Sequence, residues 1–138
     1  VGVWDDEDIV LEREAFTLQL TQGVSIYKRD GTFETTTLVT FQSKDPLPVD
    51  GVYRVTSKGK YSIRKGRFYT TPLEGSARPQ FPANASSEKR SAMNMMAEEF
   101  REPGDPDSDE IISFSGGRIV LRGEMDDGTV LQTASRRR

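Results

Sequence analysis

The chain has 138 residues, which is the length of one domain that can bury its own hydrophobic core. It contains no cysteine and no histidine, and this excludes thiol chemistry, histidine acid–base catalysis and nearly every zinc site built from protein ligands. The 19 Lys and Arg residues against 22 Asp and Glu residues give a net charge of −3, which argues against a dedicated nucleic-acid-binding protein. We therefore expect a single domain that works without a cofactor.

Membrane and export signals are absent from the sequence pattern. No stretch reaches the roughly 18 consecutive apolar residues that mark a transmembrane helix. No basic segment followed by an apolar one marks a signal peptide. We expect no transmembrane segment in this chain.

The first third of the chain has the alternating pattern of half-buried β-strands. In residues 10–20, apolar side chains at Phe16, Leu18 and Leu20 alternate with polar ones. The Asp30-Gly31 dipeptide then separates two further runs, 24–28 and 32–42, and is typical of a two-residue type I′ hairpin. That turn predicts that Lys28 pairs with Phe33 and Ile26 with Thr35. It also places one apolar set on a single face: Val24, Ile26, Phe33, Val39 and Phe41.

Short strands at hairpin spacing continue through the rest of the chain. The pattern predicts strands over 51–56, 60–64 and 67–71, and again over 110–115, 118–124 and 129–135. About eight such strands, joined by short turns, favour an all-β fold. We predict an antiparallel up-and-down barrel that is closed or nearly closed, because closure removes exposed strand edges.

Residues 71–109 interrupt this pattern. Three prolines, Pro72, Pro79 and Pro82, predict an irregular loop, and Ser86 or Ser87 is placed to cap a helix that runs to about Phe100. We predict one helix inserted before the last strands. Its apolar residues either cover the barrel or present a surface to a protein partner, and the candidate partner-binding residues are Met93, Met95, Met96 and Phe100.

The chain resembles the lipocalin-like small bacterial domains of the calycin superfamily. The resemblance rests on Gly2-Val3-Trp4, Asp30-Gly31-Thr32-Phe33, Gly51-Val52-Tyr53 and a last strand that ends in arginine. It implies an eight-stranded barrel whose first-strand tryptophan, Trp4, closes the base under an arginine of the last strand. It also implies an apolar interior, and export to the periplasm or the medium is expected, with a cytoplasmic location left open.

Two functions follow from these expectations. The first is a non-enzymatic interaction or accessory module in which residues 71–109 bind a protein. The alternative is a lipocalin-like carrier of a small hydrophobic ligand. Its candidate ligand-binding residues line the barrel interior: Phe16, Leu18, Ile26, Phe33, Phe41, Tyr53, Tyr61 and Phe68.

The charged clusters predict no catalytic or metal site. The run 105–110 begins like an EF-hand loop, but Glu110 stands where that loop requires glycine. The acidic residues fall in predicted turns or near a terminus, so we expect no apolar surroundings that would raise a carboxyl pKa. The basic hairpin residues are expected to face solvent rather than nucleic acid: Lys58, Lys60, Arg64, Lys65 and Arg67.

Overall fold

The computed structural model describes residues 1–138 and shows a closed antiparallel barrel of eight strands. The strands follow the order β1-β9-β8-β7-β6-β5-β4-β3, and pairing of β1 with β3 closes the circle. The predicted barrel and its single helix before the last strands are therefore confirmed. The elements are β1 (Gly2–Asp6), β2 (Ile9–Glu12), β3 (Phe16–Tyr27), β4 (Thr32–Ser43), β5 (Gly51–Arg64), β6 (Arg67–Gln80), α1 (Ser87–Arg101), β7 (Asp107–Ser115), β8 (Arg118–Glu124) and β9 (Val130–Arg137).

The ninth strand, β2, follows β1 in the chain and pairs with the same strand, β3. Both pair with β3, β1 over its second half and β2 over its first half. The two are interrupted at Glu7 and Asp8, and only β1 also pairs with β9. The interruption leaves β2 without a second neighbour, so the barrel wall is incomplete beside it.

The first hairpin has a different register from the predicted one. Tyr27, not Lys28, pairs with Phe33, and Ile26 pairs with Glu34 rather than Thr35. The reason lies in the turn, because Gly31 has a positive φ of 84° and Asp30 does not, whereas a type I′ turn needs two such residues. The loop therefore has three residues, and the register moves by one.

A bulge in β3 changes which residues of that strand face inward. The register between β3 and β4 shifts between Thr21 and Val24, and Gln22 adopts a positive φ of 51°. A one-residue insertion of this kind reverses the alternation of side chains beyond it. The predicted apolar face is wrong for Val24 and Ile26, because the three-residue loop of the hairpin places them opposite Thr36 and Glu34, on the outer face and away from Phe33. The bulge places Tyr27 on the inner face together with Leu20.

Strand β6 extends further than the sequence predicts, despite its prolines. It runs to Gln80 and pairs with β5 along its whole length, so the predicted loop at 71–80 is wrong. Its other neighbour, β7, pairs with it only over Arg67–Thr70. Pro72 lies at a register shift and Pro79 on the edge segment, two places where a strand tolerates a residue without an N–H group.

Helix α1 covers the inner face of this extension. Ser86 caps it by accepting a hydrogen bond from the Lys89 N–H at 3.1 Å, as predicted from the sequence. The buried cluster beneath it joins strand and helix residues: Tyr53, Ala77, Met93 and Ala97, with Phe41, Val55, Phe81, Met96 and Phe100 packed around them. The helix therefore closes one end of the barrel. The structure contains no helix with the length and apolar character needed to cross a membrane.

Candidate functional site

The barrel interior is layered along its axis. One end is apolar and contains Trp4 and Ile119, and the other end is the helix-covered cluster around Tyr53. Between them lies a cavity of about 260 Å³, which we call the polar chamber. Its polar lining residues are Asp6, Glu7, Tyr27, Thr35, Thr37, Thr70, Asp109, Thr133 and Ser135, and its apolar ones include Ile9, Leu20, Phe68 and Leu121.

The first carboxylate of the polar chamber belongs to Asp6 on β1. Asp6 lies two residues after Trp4, and alternation along the strand places both side chains on the inner face. The Ser25 hydroxyl donates to one carboxylate oxygen at 2.7 Å, and the Ser135 hydroxyl donates to the other at 2.6 Å. The carboxylate is thus held in one orientation from two neighbouring strands.

The second carboxylate belongs to Asp109 on β7. Asp109 pairs with Phe68 across the β6–β7 ladder, so its inner neighbour is an aromatic ring. Burial raises the pKa of Asp109 to about 6, and the negative charge of Asp107 adds to the shift while Arg67 opposes it. This carboxyl group therefore titrates close to physiological pH.

Two glycines make room for these carboxylates. A Cβ atom at Gly23 would lie 3.0 Å from the Cβ of Asp6, and one at Gly123 would collide with the carboxylate of Asp109. Each glycine is on a strand that neighbours the acidic residue, β3 for Asp6 and β8 for Asp109. The absence of a side chain at these positions allows both acids to lie against the wall.

Neither carboxylate is neutralised by a basic side chain. The three ion pairs of the structure lie on its exposed surface, and they join Arg118 to Glu7, Arg122 to Glu110 and Arg138 to Asp5. Placing a carboxylate in a partly apolar interior without a cation costs free energy. Asp6 and Asp109 therefore bring negative charge to the polar chamber that no ion pair of the structure balances.

Aromatic rings and free hydroxyls complete the chamber. Tyr27 and Phe68 meet edge to face with their centroids 5.5 Å apart. Burial, reinforced by the charge of Asp6, raises the pKa of Tyr27 to about 12, so its phenol stays protonated. The hydrogen bonds of the interior engage Ser25, Thr35 and Ser135, which leaves the hydroxyls of Thr37, Thr70 and Thr133 facing the cavity.

A smaller cavity, which we call the apolar hollow, adjoins the polar chamber. It has a volume of about 120 Å³, and nine of its 11 lining residues are hydrophobic. Trp4 is 6% exposed there and meets Phe114 edge to face at 5.9 Å. Trp4 also lies opposite Arg137 in the β1–β9 register, so the tryptophan and the last-strand arginine come together. Four residues line both cavities: Tyr27, Phe68, Leu121 and Ser135.

The predicted ligand-binding residues are distributed over all three layers. Phe68 lines both cavities, and Tyr61 lines the apolar hollow. Tyr53 lies under α1, and Phe16 and Phe41 stack on each other with centroids 5.0 Å apart. Phe33 is buried on the inner face of β4, and Leu18 pairs with Phe41. Ile26 lies on the outer face, as described above.

The predicted partner-binding residues of α1 are divided between core and surface. Met93 is 0% exposed and touches the core, whereas Met95 is 69% exposed. Met96 and Phe100 pack against the buried cluster from its edge. The prediction is therefore corrected for Met93, because a residue with no exposed surface cannot contact a partner in this structure.

The two carboxylates of the chamber were missed by sequence reasoning. Acidic residues were expected to lie in solvated turns, but Asp6 and Asp109 lie within strands β1 and β7. The sequence did contain a signal for Asp6, because it lies two residues after Trp4 and so shares a face with it in a β-strand. Four residues of the basic hairpin are exposed as expected: Lys58, Lys60, Arg64 and Lys65. Arg67 is half-buried instead and donates hydrogen bonds to Ser108 of β7.

The fold and the site together define a closed antiparallel β-barrel with a partly open cavity that is lined by the carboxylates of Asp6 and Asp109. No protein-family model matches the chain, and no curated protein matches it. The function is therefore argued from the geometry of the chamber.

The raised pKa of Asp109 predicts a pH-dependent stability. The pKa of Asp109 is about 6 in the folded protein and 3.8 for the ordinary carboxyl group. The contribution of this group to stability is therefore fully present below pH 4 and is lost as the pH rises through 6. Asp109→Asn is expected to raise the free energy of unfolding at pH 7.5 by about 1–2 kcal/mol, discounted for partial exposure, with no gain at pH 4. Urea unfolding at both pH values measures this. Asp126→Asn, which removes an exposed carboxylate that forms no ion pair, is the control. An equal loss at both pH values in Asp109→Asn would contradict the prediction.

Proposed function

We propose that this protein is a non-enzymatic, lipocalin-like barrel that binds a small positively charged molecule in its polar chamber. The observation that carries the proposal is the pair of carboxylates, Asp6 and Asp109, that face one internal cavity without a basic partner. A cationic ligand would supply the opposite charge, and a carboxyl group whose pKa is raised by burial, as at Asp109, is typical of functional sites.

The chemistry of the walls supports an ammonium group in particular. Asp6 is held in place by Ser25 and Ser135, so it is ready to accept further hydrogen bonds from a donor-rich cation. The aromatic residues Tyr27 and Phe68 line the chamber, and a cation is favoured beside an aromatic ring. The free threonine hydroxyls add donors and acceptors that select a polar head group.

The size of the cavity limits the ligand. A volume of about 260 Å³ lies just below the range of about 300–1,000 Å³ typical of small-molecule sites, so it suits a metabolite smaller than a drug. The hydrophobic ligand expected from the sequence would leave both carboxylates without a cation beside them. The meeting of Trp4 with Arg137 supports the lipocalin-like resemblance within this proposal.

Titration with matched small ions tests this proposal. Butylammonium is expected to bind at one site in an NMR titration at pH 7.5 and low salt, whereas butanoate, of similar size and opposite charge, is not. Asp6→Asn and Asp109→Asn are each expected to weaken butylammonium binding at least tenfold, because each removes a charge that faces the cation.

The matched control is Asp8→Asn, which removes an exposed acid from the interruption beside β1 and is expected to leave binding unchanged. Circular dichroism confirms that each variant is folded. Equal binding of butanoate, unaltered binding in Asp109→Asn, or no butylammonium binding would each contradict the proposal.

A second candidate function is protein binding through the outer side of α1. It is favoured by a shallow apolar depression on the surface, separate from the apolar hollow and lined by Val49, Ala92, Met95 and Met96. Co-purification of one partner from the source cells, lost in Met95→Lys but kept in Asp109→Asn, would support it. Loss in both variants, or in neither, would contradict it.

A further inference from the structure

The apolar hollow extends the proposed site beyond its charged part. It adjoins the polar chamber through four shared lining residues, and the aromatic pair Tyr27 and Phe68 belongs to both. One side of this pair is therefore acidic and hydroxyl-rich, and the other side is almost entirely hydrophobic.

We infer that the ligand is an amphiphilic amine, with its ammonium group in the polar chamber and its hydrocarbon part in the apolar hollow. This inference rests on the proposed function, because it specifies the second half of the same ligand. A purely polar cation would leave the hollow unfilled, and a purely apolar molecule would leave Asp6 and Asp109 without a positive charge beside them.

The rim of the hollow supports an apolar occupant. Ile63 is 55% exposed and Phe114 is 61% exposed, although both belong to the hydrophobic lining of the cavity. Apolar side chains that remain accessible around a concave site are typical of surfaces that a ligand covers. Val1 adds a third exposed apolar residue to the same rim.

The volume of the hollow sets the length of the hydrocarbon part. A space of about 120 Å³ accommodates about four groups of the size of a water molecule, which corresponds to the last carbons of an alkyl chain whose first carbons lie in the polar chamber beside the ammonium group. Each methylene group buried in the hollow is expected to tighten binding about threefold to fourfold. The ligand class is thus an amine with a chain of about eight carbons rather than a lipid with a longer one.

The hollow contains its own reporter. Trp4 is the only tryptophan of the chain, and it lines the apolar hollow but not the polar chamber. A ligand whose hydrocarbon part enters the hollow is therefore expected to change tryptophan fluorescence. A small cation confined to the polar chamber is expected to leave that fluorescence unchanged.

A comparison of three probes tests the inference: butylammonium, octylammonium and octanoate. Octylammonium is expected to bind at least tenfold more tightly than butylammonium and to shift Trp4 fluorescence, which butylammonium does not. Octanoate, with nearly the same hydrocarbon chain and the opposite charge, is expected to bind at least tenfold more weakly than octylammonium. All three are measured below the concentrations at which the octyl probes form micelles.

Ile63→Gln makes the hollow polar at an exposed position that the fold tolerates. It is expected to weaken octylammonium binding at least fivefold and to leave butylammonium binding unchanged. The matched control is Val130→Gln, an equally exposed residue of β9 that does not line the hollow, and it is expected to change neither.

The outcomes separate the inference from the proposed function. Equal binding of the two amines, both weakened by Asp109→Asn and neither sensed by Trp4, would overturn the inference and leave the proposed function standing. Octanoate binding as tight as that of octylammonium would overturn the cationic part of both. Absence of binding by either amine would overturn both.

Discussion

Replacing Trp4 with alanine is expected to lower the free energy of unfolding by about 3–5 kcal/mol, the usual cost of removing a buried tryptophan. The indole is almost fully buried, packs edge to face against Phe114 and stands on β1, the strand that closes the barrel between β3 and β9. Denaturant unfolding followed by circular dichroism measures the change, because the variant lacks the fluorescent reporter.

Phe114→Ala is the control for this prediction. Phe114 makes the aromatic contact from the other side but is largely exposed, so its loss is expected to cost only about 0.5–1.5 kcal/mol. A loss below about 1 kcal/mol in Trp4→Ala would contradict the view that this residue closes one end of the barrel.

A second large effect is expected in α1, where two methionines two residues apart have opposite environments. Met93→Ala is expected to lower the free energy of unfolding by about 2–5 kcal/mol, because Met93 is enclosed with Tyr53, Ala77 and Ala97. Met95→Ala, on the exposed side of the helix, is expected to change it by less than about 0.5 kcal/mol. Urea unfolding of the two variants under one set of conditions measures the difference.

This pair of variants decides between the two roles that the sequence left open for the helix. A helix that covers the barrel gives a large loss for Met93→Ala and a negligible one for Met95→Ala. Equal, small losses in both variants would contradict the structural role and would mean that the helix can separate from the barrel. The hydrogen bonds from the Arg101 guanidinium to the Ala77 carbonyl, at 3.3 Å and 3.2 Å, favour a helix that stays in place.

The class of fold was predictable because its signals are local. Alternation of apolar and polar residues, turn residues at short intervals and a serine before an apolar helical stripe are properties of neighbouring residues. A helix that is capped by Ser86 or Ser87 and runs to about Phe100 was predicted from them, as was the antiparallel barrel. The end of β6 was not predicted, because prolines normally interrupt a central strand. Here Pro72 lies at a register shift and Pro79 on an edge segment, and both places tolerate a proline.

The face that each strand turns inward was only partly predictable. Phe33, Val39 and Phe41 do share a face, because β4 alternates without interruption against β5. Val24 and Ile26 were assigned to the wrong face, because the first hairpin has a three-residue loop where a two-residue turn was predicted, and this moves the register with β4 by one residue. The bulge at Gln22 then reverses the alternation along β3, and a bulge depends on how two strands pair, which is decided by the whole barrel.

The sequence by itself determined an all-β barrel with one covering helix and a buried tryptophan, because local alternation and turn chemistry are enough for these features. Only the tertiary structure decided the character of the interior. Asp6 and Asp109 are 103 residues apart in the chain, and closure of the sheet brings them to one cavity. Glycines at 23 and 123 give their carboxylates space, and the same closure withdraws Asp109 from water and raises its pKa. Charge in a cavity depends on which strands meet there, and that arrangement is a property of the closed barrel rather than of any one segment.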